Sequence, residues 1–327
     1  MKRFLLISIL IAPIVILGFV CSTHAAKSKL LEKIKFAHFG INTQRDLFVA
    51  KEKGFFEKQG IDCELMKMNL AGVIPAIVGG SVDGGPSPAS AALPALAKGV
   101  KIKLVLTGPQ YPRDEQMPYI GVLIDSPIKS IEDLNGKSMS GHYKGSAPWL
   151  AVQIFLKKHR ITLSQYVEGS EHAFTPLMLA GKVDAAIVFP EFRVRYGEKI
   201  RLIAPLDAFR KIQGGGDYWF SQKFIEERPD LVRRWINALK HARDYERKHS
   251  LECVELIQKY TGGPLDGMIM EIKKGMYPEY PIEPLVEVIK VIFTQKMLIE
   301  LGLMREPIKA EEHIDMRFAK PVYEDPK

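Results

Sequence analysis

Four short stretches combine glycine, hydroxyl and aromatic residues where a strand pattern gives way to a helix pattern. They are Phe39-Gly40-Ile41-Asn42-Thr43-Gln44, Gly84-Gly85-Pro86-Ser87-Pro88-Ala89-Ser90, Gly141-His142-Tyr143-Lys144-Gly145-Ser146 and Phe189-Pro190-Glu191-Phe192-Arg193. The first backbone N–H groups of a helix have no partner within it, and the helix dipole places partial positive charge there. With nearby hydroxyls, such turns suit a carboxylate, sulfonate or phosphate. One Ser or Thr at a helix start is ordinary capping. Four comparable turns in one chain point to a shared ligand. Ligands of open parallel sheets sit at the carboxyl ends of the strands. The candidate ligand-binding residues are therefore Phe39, Asn42, Thr43, Ser87, Ser90, Tyr111, His142, Ser146, Phe189 and Glu191. The aromatic members offer flat apolar surface to an organic body. Glu191 and Arg193 are of opposite sign and leave two alternatives. An inward Arg193 favours an aromatic carboxylate or sulfonate, whereas Glu191 alone favours a pyrimidine-like or amine-bearing heterocycle.

Motifs for covalent or metal chemistry are missing from the sequence. It contains no G-x-S-x-G, no G-x-x-x-x-G-K-[ST], no H-E-x-x-H and no cysteine cluster of zinc spacing. The eight histidines are scattered. We therefore expect a binding protein with no catalytic residue, no metal and no cofactor.

The elements that must position these turns follow from periodicity. Ile34–Phe39, Ile61–Met66, Val82–Gly85 and Ile102–Leu106 read as strands. They alternate with helices that start at Asn42 or Thr43, at Val73 and at Ser87. This is the pattern of a parallel sheet wound with helices. A second unit has strands at Tyr119–Ile124, Lys137–Ser140, Asp184–Phe189 and Ile200–Ile203. Its helices run from Ser146 or Ala147 to His159 and over Glu171–Ala180. After a strand at Tyr218–Phe220 the chain reads as helical over Leu231–Lys248, Leu251–Tyr260 and Ile282–Leu301.

Composition agrees with a globular α/β protein: 327 residues, 46% hydrophobic and 26% charged. Lys2 and Arg3 precede an uncharged apolar run, Phe4–Val20, and the small residues Thr23 and Ala25 follow with one residue between them. This is the pattern of a secretory signal peptide cleaved near Ala25, and it predicts export to the periplasm or cell surface. Val20 is too bulky for the residue that normally precedes a lipidated Cys21. Setting Lys2 and Arg3 aside leaves 44 basic against 38 acidic residues, a dispersed excess that does not argue for nucleic acid. Cys63 and Cys253 read as buried thiols.

The run Lys51-Glu52-Lys53-Gly54-Phe55-Phe56-Glu57-Lys58-Gln59-Gly60-Ile61-Asp62 resembles the G-F-F signature of exported solute-binding proteins. Those proteins serve importers of aliphatic sulfonates, taurine, nitrate and the thiamine-precursor pyrimidine. Ala76–Asp83 with Ala97–Val100, Ile131–Lys137 and Leu179–Ala186 resemble further elements of that family, in the same order. The resemblance implies a type II periplasmic-binding-protein fold, α/β and two-lobed, each lobe a mostly parallel sheet flanked by helices. With the signal peptide over 1–25, it places the first part of lobe 1 over 28–116, lobe 2 over 117–207 and a return segment of lobe 1 over 208–327. Crossovers lie near Pro109–Met117 and Leu206–Gly216, with hinge motion between an open and a ligand-bound form. It further implies a monomer that captures a small organic solute in the cleft and delivers it to the permease and ATPase subunits of an ABC importer. The alternative is a non-transport enzyme or sensor on the same scaffold, pyrimidine-biosynthesis-like or desulfinase-like. Two departures bear on the ligand: Phe189-Pro190-Glu191 stands where many relatives carry Trp-Asp/Glu-Pro, and the Cys-rich segment of the thiamine-pyrimidine enzymes is missing.

Overall fold

Alternation over Glu32–His38 buries Ile34 and Phe36 on one face, and that strand founds the first of two five-stranded sheets. The computed structural model describes residues 30–109, 116–170, 172–212, 216–263, 265–276, 280–281 and 285–322. Along the chain lie β1 (Glu32–His38), α1 (Arg45–Glu52), α2 (Phe55–Lys58), β2 (Ile61–Lys67), α3 (Leu70–Val78), β3 (Gly84–Pro86), α4 (Ala89–Leu96) and β4 (Ile102–Leu106). Then come β5 (Tyr119–Leu123), β6 (Ser138–His142), α5 (Ala147–His159), β7 (Gln165–Gly169), α6 (Phe174–Leu179), β8 (Ala185–Val188), α7 (Pro190–Tyr196) and β9 (Ile200–Pro205). The rest holds α8 (Ala208–Lys211), β10 (Tyr218–Ser221), α9 (Gln222–Glu227), α10 (Pro229–Lys248), α11 (Ser250–Thr261), α12 (Leu265–Lys273), β11 (Leu285–Glu287), α13 (Val288–Glu300) and β12 (Lys320–Val322).

The first sheet has the order β2-β1-β3-β10-β4 and the second β7-β6-β8-β5-β9. Each is parallel except for one inner strand, β10 in the first and β5 in the second. The chain therefore passes between the sheets twice, after β4 and after β9. Both sheets belong to one compact unit beginning at Leu31. This is the expected two-lobed α/β architecture.

Aromatic packing fastens the first sheet to its helices. Trp235, on α10, lies 4.5 Å centroid to centroid from Phe36 and edge-on to Tyr218 and Phe220. Pro229 opens α10, where its missing N–H costs nothing. Phe56 is fully buried, and Gly54 and Gly60, both at positive φ, turn the chain on either side of it. Cys63 and Cys253 are buried free thiols.

Among the differences from the sequence reading are three segments. Gln165–Gly169 is a strand, although its half-exposed edge position hides the alternation. The helix expected over Glu171–Ala180 begins only at Phe174. The helix expected from Ile282 begins at Val288, because Leu285–Glu287 is extended: the Leu285 carbonyl accepts both the N–H and the hydroxyl of Thr107.

The ends of the two crossings touch at bare backbone. A Cβ on Gly108 would lie 2.5 Å from Gly216 Cα, and one on Gly216 would lie 2.3 Å from the Thr43 carbonyl oxygen. We expect Gly216→Ala to cost about 1–3 kcal/mol in urea denaturation, since backbone must move to admit the methyl. Gly197→Ala has open space around it and should stay within about 0.5 kcal/mol of the parent. Equal stability of the two variants would contradict the close approach.

Candidate functional site

A cavity of about 490 Å³ lies where turns from the carboxyl ends of both sheets meet. The first sheet contributes Phe39, Ile41, Asn42 and Thr43 after β1, Arg45 on α1, and Lys67, Met68, Asn69 and Leu70 after β2. The second contributes His142, Tyr143 and Ser146 after β6, Ser170 after β7, and Phe189 and Glu191 after β8. Phe209 of α8 and Glu271 of α12 complete the polar and aromatic lining.

The turn after β1 is held open by its backbone. Gly40 has φ +75°, and a Cβ there would meet the Tyr260 carbonyl at 2.8 Å and Lys67 Nζ at 3.1 Å. The Gln44 side chain accepts the Phe39 N–H at 2.8 Å, closing the loop on itself. Asn42 Oδ1 and Thr43 Oγ1 are left buried with no hydrogen-bond partner among the described residues. Buried polar atoms are normally satisfied, and exceptions cost free energy unless something else supplies the bond.

Below this turn, Asp46 and Arg243 form an ion pair at 2.9 Å between almost wholly buried side chains. Arg243 also donates to the carbonyls of Thr107 and Pro281, and Tyr218 donates its hydroxyl to Asp46. Arg45 pairs with Glu246, and its guanidinium lies 4.4 Å from the centre of the Tyr280 ring.

Two histidines are held neutral. Burial pushes His142 down to about 4, and its Nδ1 accepts the Tyr143 N–H at 3.1 Å, which leaves the proton on Nε2. Burial and the nearby Lys67 ammonium push His38 down to about 4 as well. Glu271 shows the opposite effect: burial and the facing Glu191 raise its carboxyl well above the usual range, against the pull of Arg45 and Arg193.

Of the residues proposed from sequence, Phe39, Asn42, Thr43, His142, Ser146, Phe189 and Glu191 line this cavity. Ser146 also caps α5, accepting the Trp149 N–H at 3.2 Å. Ser87 and Ser90 do not line it. Ser87 is 1% exposed and its hydroxyl turns back to the Pro88 carbonyl. Ser90 donates to the Gly145 carbonyl at 2.6 Å and so joins α4, beside the first sheet, to the β6–α5 turn of the second. Tyr111 lies outside the described residues. Arg193 is not part of the lining; its guanidinium sits 4.9 Å from the centre of the Tyr119 ring. Sequence reasoning missed Arg45, Lys67, Ser170, Phe209 and Glu271. Lys67 had a signal: it ends β2 in register with His38, at the carboxyl edge where ligands gather. Glu271 had none, since it arrives from a helix more than two hundred residues downstream of the first turn.

The family model of NMT1/THI5-like proteins matches residues 43–252, and the chain belongs to that family. A Brucella abortus (strain 2308) protein provisionally named a binding protein is 23% identical over 235 residues, 69% of this chain and 70% of its own. Among solved structures, the alkanesulfonate-binding protein SsuA of Xanthomonas axonopodis pv. citri bound to MOPS aligns with a TM-score of 0.70 at 16% identity, covering 86% of this chain and 98% of that one. The periplasmic nitrate-binding protein NrtA of Synechocystis PCC 6803 aligns with a TM-score of 0.70 at 10% identity, covering 88% and 87%. The fold is that of the two-lobed periplasmic binding proteins.

The depressed histidines set an acid limit. An unfolded histidine titrates near 6.5 and these two near 4. Between those values the unfolded chain binds more protons, so stability is full above about 6.5 and is lost as pH falls toward 4. Melting temperature should drop across that window, and His38→Gln with His142→Gln should flatten the drop. A level melting temperature in the parent protein would contradict the assignment.

Proposed function

We propose that this protein is the solute receptor of an ATP-driven importer. It captures a small organic molecule in the cavity between the sheets and hands it to a membrane permease worked by an ATPase. The observation that carries this reading is the pair of unsatisfied buried atoms, Asn42 Oδ1 and Thr43 Oγ1, in a cavity walled by both sheets. They need a partner that the described residues do not provide. Export through the N-terminal apolar segment supports the same reading, with the mature receptor acting as a monomer. Among the described residues no helix is long and apolar enough to cross a membrane. The ligand-binding set is Phe39, Asn42, Thr43, His142, Ser146, Phe189 and Glu191, extended by Lys67 and Glu271.

An enzyme on this scaffold would need a reactive group in the cavity. The thiols of Cys63 and Cys253 are packed in the core and pushed up to about 12 by burial. Among the described residues no group of three or more His, Cys, Asp or Glu could hold a metal. Among the described residues the cavity therefore holds neither a cysteine thiol nor a metal-binding cluster.

A thermal-shift screen of sulfonates, aromatic acids, pyrimidines and nitrate tests the reading, because a ligand bound only by the folded state raises its melting temperature. An organic ligand should give the largest shift and be recovered unchanged. Small-angle scattering should then show a smaller radius with saturating ligand, the lobes closing about the Gly108–Gly216 contact. Chemical conversion of the ligand would favour the enzyme, and tight binding of nitrate alone would overturn the organic assignment.

The Ser90–Gly145 hydrogen bond gives a separate check on closure. Ser90→Ala removes a bond across the cleft worth about 0.5–1.5 kcal/mol. Affinity in calorimetry should fall about two- to tenfold although Ser90 does not touch the cavity. An unchanged affinity would show that the bond does not help hold the closed form.

A further inference from the structure

One wall of the cavity is carried by a helix that little holds in place. α12 brings Glu271 into the lining, beside Glu191 of α7. It packs along α11, on the first sheet's side of the cleft, and along α7, which follows β8 of the second sheet. Glycines stand at both of its ends. Gly262 caps α11 at φ +68° with nothing within 4 Å of a Cβ placed on it, and Gly275 follows α12 at φ +64°. Such positions let a segment change direction without steric cost. Of the apolar side chains of α12, Met268 alone is fully buried; Leu265, Ile269 and Ile272 are partly buried and Met270 is exposed. The neighbouring α10 buries Leu231, Val232, Trp235, Ile236 and Leu239.

The polar contacts of α12 with the second sheet's side are also slight. Asp266 meets Arg195 of α7 at 3.5 Å, with both side chains more than a third exposed, and an exposed ion pair of that kind adds little. Just ahead of the helix, a Cβ on Gly263 would lie 3.2 Å from His172 Cε1. Glu271 works against docking. Burial and then the facing Glu191 raise its carboxyl, against the pull of Arg45 and Arg193, so seating α12 dries a group that prefers water. A segment with few buried apolar side chains opens at lower free energy than the core beside it. Resting on the reading of this cavity as a solute site, we propose that α12 is a lid over it, latched by the Arg195–Asp266 pair. The lid swings away from α7 and α11 on its terminal glycines while both sheets keep their places, and it uncovers the side of the cavity lined by Glu191 and Glu271. Closing of the lobes moves whole sheets; this motion moves one helix within the first sheet's half.

Distances between paired spin labels test this in the ligand-free protein, with all labels on the first sheet's half so that motion of one lobe against the other leaves them unchanged. The labels go on cysteines introduced at the exposed positions Met270 on α12, Glu255 on α11 and Glu64 on β2. Cys63 and Cys253 are buried and stay unlabelled. The Met270–Glu64 pair should show two distances, the docked one and a longer one, and the Glu255–Glu64 pair a single distance. Asp266→Ala removes the latch and should raise the ratio of long to short Met270–Glu64 distances about two- to fivefold. Glu271→Gln should lower that ratio. Melting temperatures identify any variant that has lost its fold, and the two label pairs on the otherwise unchanged chain stand without the variants. A single distance in both pairs would overturn the lid and leave the receptor reading to the thermal-shift screen. Two distances in both pairs would overturn it as well, since α11 would then move with α12. A ratio that Asp266→Ala leaves unchanged would overturn the latch.

Discussion

The buried ion pair between Asp46 and Arg243 is the constraint on which the rest of the arrangement hangs. Two charges taken wholly out of water are tolerable only if nearly every hydrogen-bonding position is filled. Here Arg243 serves Asp46 and the carbonyls of Thr107 and Pro281, while Asp46 also takes the Tyr218 hydroxyl. Those partners come from five places in the chain. They include the helix that follows the first ligand turn, the residue that closes β4, and the strand that receives the chain on its return. Removing either charge would strand the other in the core, a loss of about 3–5 kcal/mol by comparison with similar buried pairs. The pair thus sets the position of the Asn42–Thr43 turn relative to both crossings.

The cavity inherits its character from that framework. Turns at the carboxyl ends of parallel strands deliver short polar groups, because the helices that follow need caps. Ser146 shows the dual use, bonded to the Trp149 N–H while it borders the cavity. Two of the charged groups come from outside those four turns. Lys67 stands at a strand end, and Glu271 approaches from the C-terminal helices, where burial and the facing Glu191 raise its carboxyl well above the usual range.

Much of the fold was legible because its signals are local. Alternation marked β1, β2 and β4, and the apolar run marked β8, each within a residue or two of its observed bounds. The four Gly- and Ser-rich turns were visible for the same reason, and three of them reach the cavity with the residues singled out from sequence. The Ser87–Ser90 turn reaches it only through Pro88, since Ser87 folds back on its own backbone and Ser90 spans the cleft. Sequence shows a hydroxyl at a helix start but not which of two neighbours it will bond. β7 was hidden by its exposed edge, and the extended Leu285–Glu287 was hidden because its partner, Thr107, is far away in the chain. Arg45 read as helix interior, and its role depends on Glu246, two hundred residues on.

The exchange of inner strands has a consequence for how such a chain can be assembled. β10 lies between β3 and β4, so the first sheet has a gap in its middle until residues 218–221 have been made. β4 has no ladder to join before then. The second sheet draws all its strands from one uninterrupted stretch, 119–205, and needs nothing from later in the sequence. A fragment ending near residue 210 would therefore carry a complete second sheet beside an incomplete first one. Dissection at either crossing does not yield two equivalent halves: the sheet that starts later is complete first, and the sheet that begins the chain is the last to be finished.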